Sequence, residues 1–146
     1  MQKTNTATCL SILSVMVLNA CSTMTGPAPE SVAGRIIRLD DTDTQIQECP
    51  IGTSEWSAWK KFKYGCVSDF QFNAANQHLS SHTPSETSSI TYKKTGSATA
   101  EIYYESAEQA HTCYLKFNTP TSGTATKEGY GGDYHYKQRN IQFSIK

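Results

Sequence analysis

The sequence predicts an all-β fold, an antiparallel β-meander forming a small sandwich or a partly closed barrel. Three observations predict it. From residue 85 onward, apolar and polar side chains alternate with a period of two, the spacing of a sheet with one buried face. Gly, Pro, Ser and Asn separate these runs at short, regular intervals. Charged residues make up 18% of the chain, below the ~25% typical of globular proteins. Ser, Thr and Tyr take their place, a composition that favours strands and polar loops over helices.

Taken in order, the elements begin with "GRIIRLD" (Gly34 to Asp40), which reads as an opening strand. Cys49 precedes Pro50 in what reads as a loop. In "TSEWSAWKKF" (Thr53 to Phe62), the spacing of Trp56, Trp59 and Phe62 predicts one short helix near residues 53–61. "KYGCVSDFQFN" (Lys63 to Asn73) reads as a strand with Tyr64, Cys66, Phe70 and Phe72 on one face. "HLSSHTPSETSS" (His78 to Ser89) reads as a polar loop.

The second half is more regular. "SITYKK" (Ser89 to Lys94) turns Ile90 and Tyr92 inward, and Thr95-Gly96-Ser97 closes it. "TAEIYYE" (Thr99 to Glu105) turns Ala100, Ile102 and Tyr104 inward, with Glu101, Tyr103 and Glu105 outward. "TCYLKFN" (Thr112 to Asn118) turns Cys113, Leu115 and Phe117 inward and Thr112, Tyr114 and Lys116 outward. "NTPTSG" and the glycines 129, 131 and 132 read as turns. Two further runs, "YHYK" and "NIQFSIK", turn in Tyr134 and Tyr136, then Ile141, Phe143 and Ile145, with a hairpin closed at Lys137 to Asn140. The expected register sets Glu101 opposite Lys116, Tyr103 opposite Tyr114 and Tyr104 opposite Cys113, with Ala107 to Ala110 as the loop. A slip of one residue would send one strand's apolar set into water.

The N-terminus is a separate matter. Lys3 is the only charge ahead of "CLSILSVMVL" (Cys9 to Leu18). That apolar run is too short for a membrane-spanning helix, which needs about 20 residues, and suits the roughly 7–15 residues of a signal peptide's core. Residues 1–20 are therefore expected to be a signal peptide, 21–33 ("CSTMTGPAPESVA") a flexible tether rich in Ser, Thr and Pro, and 34–146 a single β domain. The chain has 146 residues, and less the first 20 it leaves 126, one domain's worth. Without Lys3 there are 12 basic residues against 13 acidic. That balance lacks the basic excess of a nucleic-acid binder.

Leu18-Asn19-Ala20-Cys21 resembles the lipobox of bacterial lipoproteins. Leu18, Ala20 and Cys21 match the pattern, and Asn19 departs from the usual small or hydroxyl residue. The resemblance implies cleavage before Cys21, acylation of that cysteine and attachment to a membrane through its lipid. Ser22, rather than an aspartate, resembles the class sorted to the outer membrane; it leaves the periplasmic or outward-facing side open. Each buried methylene contributes about 0.8 kcal/mol, so two or three acyl chains anchor stably where one does not. The run from Tyr92 through Lys94 to Gly96, Thr99 and Ala100, Leu115 and Phe117, and Ser122 to Thr124 resembles a β-meander motif of surface and secreted proteins of mucus-associated bacteria. That likeness implies fold rather than chemistry.

Of five cysteines, Cys9 would leave with the signal and, as the lipobox resemblance implies, Cys21 would carry lipid. Export would place Cys49, Cys66 and Cys113 in an oxidising compartment. One bridge is expected, Cys49–Cys66, with Cys66–Cys113 as the alternative. Other chemistry is sparse. His78 and His82 are four apart in a Ser- and Pro-rich segment that holds no helix. Asp40, Asp41 and Asp43 lack the glycine and the bidentate glutamate of a calcium loop. Glu101 and Glu105 share a solvated face, no GxSxG elbow is present, and "EGYGGDY" lacks the GKS/T ending of a phosphate loop. No catalytic, metal or cofactor set is expected. Exposed aromatic residues mark binding surfaces, so outward Tyr103 and Tyr114, with Tyr130 in a glycine loop, form the candidate binding face.

The expected role is non-catalytic binding or structural support in the cell envelope, with an envelope protein or glycan as partner. The alternatives are a lipocalin-like carrier of a small apolar ligand and an inhibitor of an envelope-targeting enzyme. The bulky inward set of Phe70, Phe72, Phe117 and Phe143 argues for a filled core over an open carrier barrel.

Overall fold

The computed structural model describes residues 27–83 and 86–146. Ten strands follow one another: β1 Ile36–Asp40, β2 Gln45–Pro50, β3 Lys60–Lys61, β4 Val67–Gln71, β5 Gln77–Thr83, β6 Glu86–Lys94, β7 Thr99–Glu105, β8 Gln109–Thr119, β9 Ser122–Gly131 and β10 Tyr134–Ile145. Among the described residues there is no helix, and every strand pairing is antiparallel. The main path runs β3-β2-β10-β9-β8-β7-β6-β5 and does not close into a barrel. β1 leaves this path on β10 and carries β4 on its other side. The fold is the all-β antiparallel meander that period-two alternation predicts.

β10 organises the molecule. Its first half pairs with β2, from Tyr134↔Pro50 to Arg139↔Gln45, and its second half pairs with β1, from Gln142↔Asp40 to Ile145↔Ile37. Between Gln138 and Ile141 the strand advances three residues while β9 advances two. This is a β-bulge, with Asn140 at φ 67°. The extra residue switches the inward positions from even to odd: Tyr136 and Gln138 point in before it, Ile141, Phe143 and Ile145 after it. Ile141, Phe143 and Ile145 are buried as expected and Tyr136 is half-buried, but Tyr134, expected to turn in, is exposed at the start of the strand. The expected hairpin at Lys137 to Asn140 is a kink within one strand.

The inner face is filled. Ile37, Phe72, Leu115 and Ile141 are essentially inaccessible, and Phe70 packs against the same cluster. Phe117 and Phe143 meet edge to face at 4.8 Å, an attractive geometry. They close over Gly123, where a Cβ would run into the Lys116 carbonyl oxygen and lie 2.9 Å from the Phe143 ring. Residues 27–33, assigned to the tether by composition, are docked on this core. Ala28 and Val32 are buried in it, Ala28 N–H donates to the Ser97 carbonyl at 3.1 Å, and the Tyr92 hydroxyl donates to the Pro29 carbonyl at 2.7 Å. The packed domain therefore starts before Gly34.

Several expectations are corrected. No helix forms at 53–61. This segment runs back along β2, with Ser57 N–H donating to the Glu48 carbonyl at 2.8 Å and β3 pairing Lys60 with Ile46. The polar run 78–89 is not a loop but the β5–β6 hairpin, with Leu79 paired to Ser89 and Ser80 to Ser88. Cys49 lies in β2, and Tyr130 lies in the central strand β9 rather than in a glycine loop. Tyr64 and Cys66 are exposed rather than inward, because β4 starts only at Val67. In β7–β8, Glu101 pairs with Tyr114, Tyr103 with Thr112 and Tyr104 with His111. The register is two residues from the expected one. A two-residue shift keeps every side chain on its own face, so the apolar pattern cannot tell the two apart. Finally, Cys49, Cys66 and Cys113 are all free thiols, so neither expected disulfide forms. β10 and β1 stand between the strand of Cys49 and β4, which Cys66 precedes, and Cys66 is exposed whereas Cys113 is buried in the core.

Candidate functional site

Two surfaces carry chemistry, one on each side of the sheet. On the outer side, Tyr103 of β7, Tyr114 of β8 and Tyr130 of β9 are 40%, 43% and 45% exposed. The register places them on one face but staggers them. Tyr103 stands beside Thr112, Tyr114 between Glu101 and Thr126, and Tyr130 between Ala110 and His135. The expected stack of Tyr103 on Tyr114 is therefore absent; the rings form a diagonal separated by small polar side chains. Tyr134, also exposed, is not part of this row: its partner in β9 is Gly131, while Tyr130 is paired with His135, so Tyr134 lies on the opposite side of the sheet with Tyr136.

The sheet edge adds two more aromatics that the sequence reading assigned to a helix. Trp56 lies over the Lys137 ammonium at 4.9 Å, and Trp59 over the Arg139 guanidinium at 4.2 Å. Both cations point outward from β10, so the extended 53–62 segment lays its tryptophans on the tyrosine face. Arg139 Nε also donates to Gln45 Oε1 at 2.8 Å, which fixes its plane. Two shallow clefts result. One, of about 270 Å³, lies among Trp56, Glu128, Tyr130, His135 and Lys137. The other, of about 500 Å³, lies among Tyr114, Lys116, Thr126, Arg139 and Gln142.

On the inner side, polar groups interrupt the core at one end. Asp41 and Lys127 face each other at 3.5 Å with 14% and 15% exposure. Asp41 Oδ1 accepts from Cys66 N–H at 2.6 Å, and Oδ2 accepts from Gln138 Nε2 at 3.3 Å. Gln138 also donates to Thr44 Oγ1 at 2.8 Å, which satisfies a buried amide. His111 stacks on Tyr104 at 4.6 Å and stands 6.2 Å from the Tyr136 ring. Burial, helped by the nearby Lys127 charge, holds the His111 imidazole down to about 4, so it is neutral at pH 7. Burial pushes the Cys113 thiol up to about 11 and the Tyr136 phenol up to about 12.

The remaining sequence candidates separate. Asp40 caps its own turn by accepting from Thr42, Asp41 enters the buried cluster, and Asp43 pairs with Lys61 at 3.3 Å. No group of three metal-ligating side chains comes together among the described residues. His78 Nδ1 bonds the Gln71 carbonyl at 2.9 Å. Glu101 is paired across the sheet with Lys93, and Glu105 with Ser89. Cys21 lies outside the described residues. The inner cluster was missed, yet a signal existed. His111 and Lys127 occupy inward positions in strands whose other inward residues are apolar, His111-Cys113-Leu115-Phe117 and Gly123-Ala125-Lys127.

No family profile, curated protein or solved structure matches this chain.

Proposed function

We propose that this chain is a lipid-anchored, non-catalytic protein of the bacterial cell envelope, held at the outer membrane through Cys21, whose β domain binds glycan on its tyrosine face. The observation that carries the binding half is the row of outward rings, Tyr103, Tyr114 and Tyr130, extended by Trp56 and Trp59. Flat rings separated by Thr, Gln, Lys and Arg suit a sugar. Its C–H faces lie on the rings and its hydroxyls bond the polar groups between them. A protein partner would be better served by a contiguous apolar patch, which the intervening Thr112, Thr126 and Glu128 break up. Support for the anchor is the sequence alone: the short apolar run ending in Leu18-Asn19-Ala20-Cys21.

The two halves are tested separately. Cys21→Ser should release the protein from the membrane fraction or block its processing; a variant that is processed and fractionates like the parent contradicts the anchor. For binding, the protein should co-sediment with purified peptidoglycan sacculi or with an insoluble hexose polymer. Failure to sediment with either contradicts the glycan reading.

A further inference from the structure

On the inner side, away from the tyrosine face, a cavity of about 130 Å³ lies between β1/β4 and β6–β9. Leu39, Phe70, Ile90 and Ile102 form its apolar wall. Asp41, His111 and Lys127 line it as well, and the same three line a neighbouring cleft of about 380 Å³ that also takes in Gln109 and Gln138. They therefore stand where an apolar interior meets a polar mouth.

Two features of that junction do not serve packing. The Asp41–Lys127 pair is nearly buried, and such pairs often contribute less to stability than apolar residues of the same volume. His111 Nδ1 is buried with no hydrogen-bond partner, a condition that folded proteins rarely leave uncompensated. An unmet polar atom beside an apolar cavity is the arrangement of a small-molecule site, in which one polar group orients an otherwise apolar ligand.

Size and charge narrow the ligand. A cavity of roughly 150 Å³ admits a benzene-sized molecule. The wall carries one cation and one anion already facing each other, so it has no net charge for an ionic head. We propose that this cavity binds a small neutral amphipathic molecule, a benzene-sized apolar body against Leu39, Phe70 and Ile102 with one hydroxyl bonded to His111 Nδ1. A hydroxyl serves either imidazole tautomer, since it both donates and accepts. The site is independent of the glycan face and stands or falls apart from it.

Phenol and benzene are the probes, titrated into the full chain and followed residue by residue by NMR. Phenol should give saturable shifts at Ile102, His111 and Cys113. Benzene should bind about tenfold more weakly, one net hydrogen bond's worth. His111→Phe should lower phenol to the affinity of benzene, and Ile102→Phe, which fills the cavity, should abolish both. Should Ile102→Phe fail to fold, His111→Phe still decides. The proposal is overturned if phenol shifts do not saturate, if they scatter over the outer face, or if His111→Phe binds phenol as the parent does.

Discussion

His111 is neutral and buried where a more ordinary sheet would carry an apolar side chain. Its folded pKa, about 4, lies below the ordinary 6.5. Between these values the unfolded chain takes up a proton that the folded chain refuses. Stability is therefore full above about pH 6.5 and is lost as the pH falls towards 4, by up to about 3 kcal/mol. Asp40 and Asp69 do not contribute within this window. Hydrogen bonds from Thr42 and Arg38 hold their carboxyls below the usual 3.8, so their loss comes at lower pH. Thermal melts should show a lower midpoint at pH 5 than at pH 7, and His111→Phe should flatten that difference; an unchanged pH dependence in the variant contradicts the assignment. The cysteines offer a second check. Cys66 is exposed, whereas Cys49 and Cys113 are buried and the Cys113 thiol is pushed up to about 11. Native alkylation followed by peptide mapping should label Cys66 first, with Cys49 and Cys113 following only on unfolding. A recovered Cys49–Cys66 peptide would show that the thiols pair after all.

At the scale of elements, alternation made faces legible and left lengths, registers and bends obscure. The inward sets of β7, β8 and β10 follow from period two, because a misplaced face exposes apolar surface. The two-residue step in β7–β8 was not legible, since both registers bury the same side chains. The observed step lets His111 lie on Tyr104 and closes the turn with Ser106 N–H donating to the Gln109 carbonyl at 2.9 Å. The bulge in β10 read as a turn because Lys137 to Asn140 is a polar run, and a polar run signals solvent exposure rather than chain reversal. Likewise the β5–β6 hairpin is too rich in Ser and Thr to announce itself. The Trp-x-x-Trp spacing suggested a helix, but extended pairing along β2 also brings both indoles over cations. β9 carries a sharper test. Gly123 sits where a Cβ would strike the Lys116 carbonyl and Phe143, whereas at Gly131 the nearest atoms lie at an ordinary 3.5 Å. Gly123→Ala should cost about 2–3 kcal/mol in urea melts, as overpacking does, and Gly131→Ala within about 0.5 kcal/mol of nothing. Equal effects would mean that Phe117 and Phe143 do not close over the glycine.

For the whole molecule, the bent sheet divides the labour between its faces. The inner side buries the core and ends in the Asp41, His111 and Lys127 cluster, while the outer side gathers aromatic rings from β7, β8, β9 and the 53–62 segment. Of the outer site, Tyr103 and Tyr114 were legible because alternation places them outward, and Tyr130 was found for the wrong local structure. Trp56 and Trp59 were not legible as part of it, since only the pairing of β2 with β10 brings their segment over Lys137 and Arg139. The central claim is that this outer face is a binding surface and not a covered one. The most direct measurement is the sedimentation of the Tyr103→Ala/Tyr114→Ala protein with peptidoglycan sacculi, alongside its urea melt. The account predicts that binding is lost while stability changes by less than about 1 kcal/mol, because both rings are at least 40% exposed. A variant that binds like the parent, or one that unfolds because the rings are buried beneath another element, would contradict it.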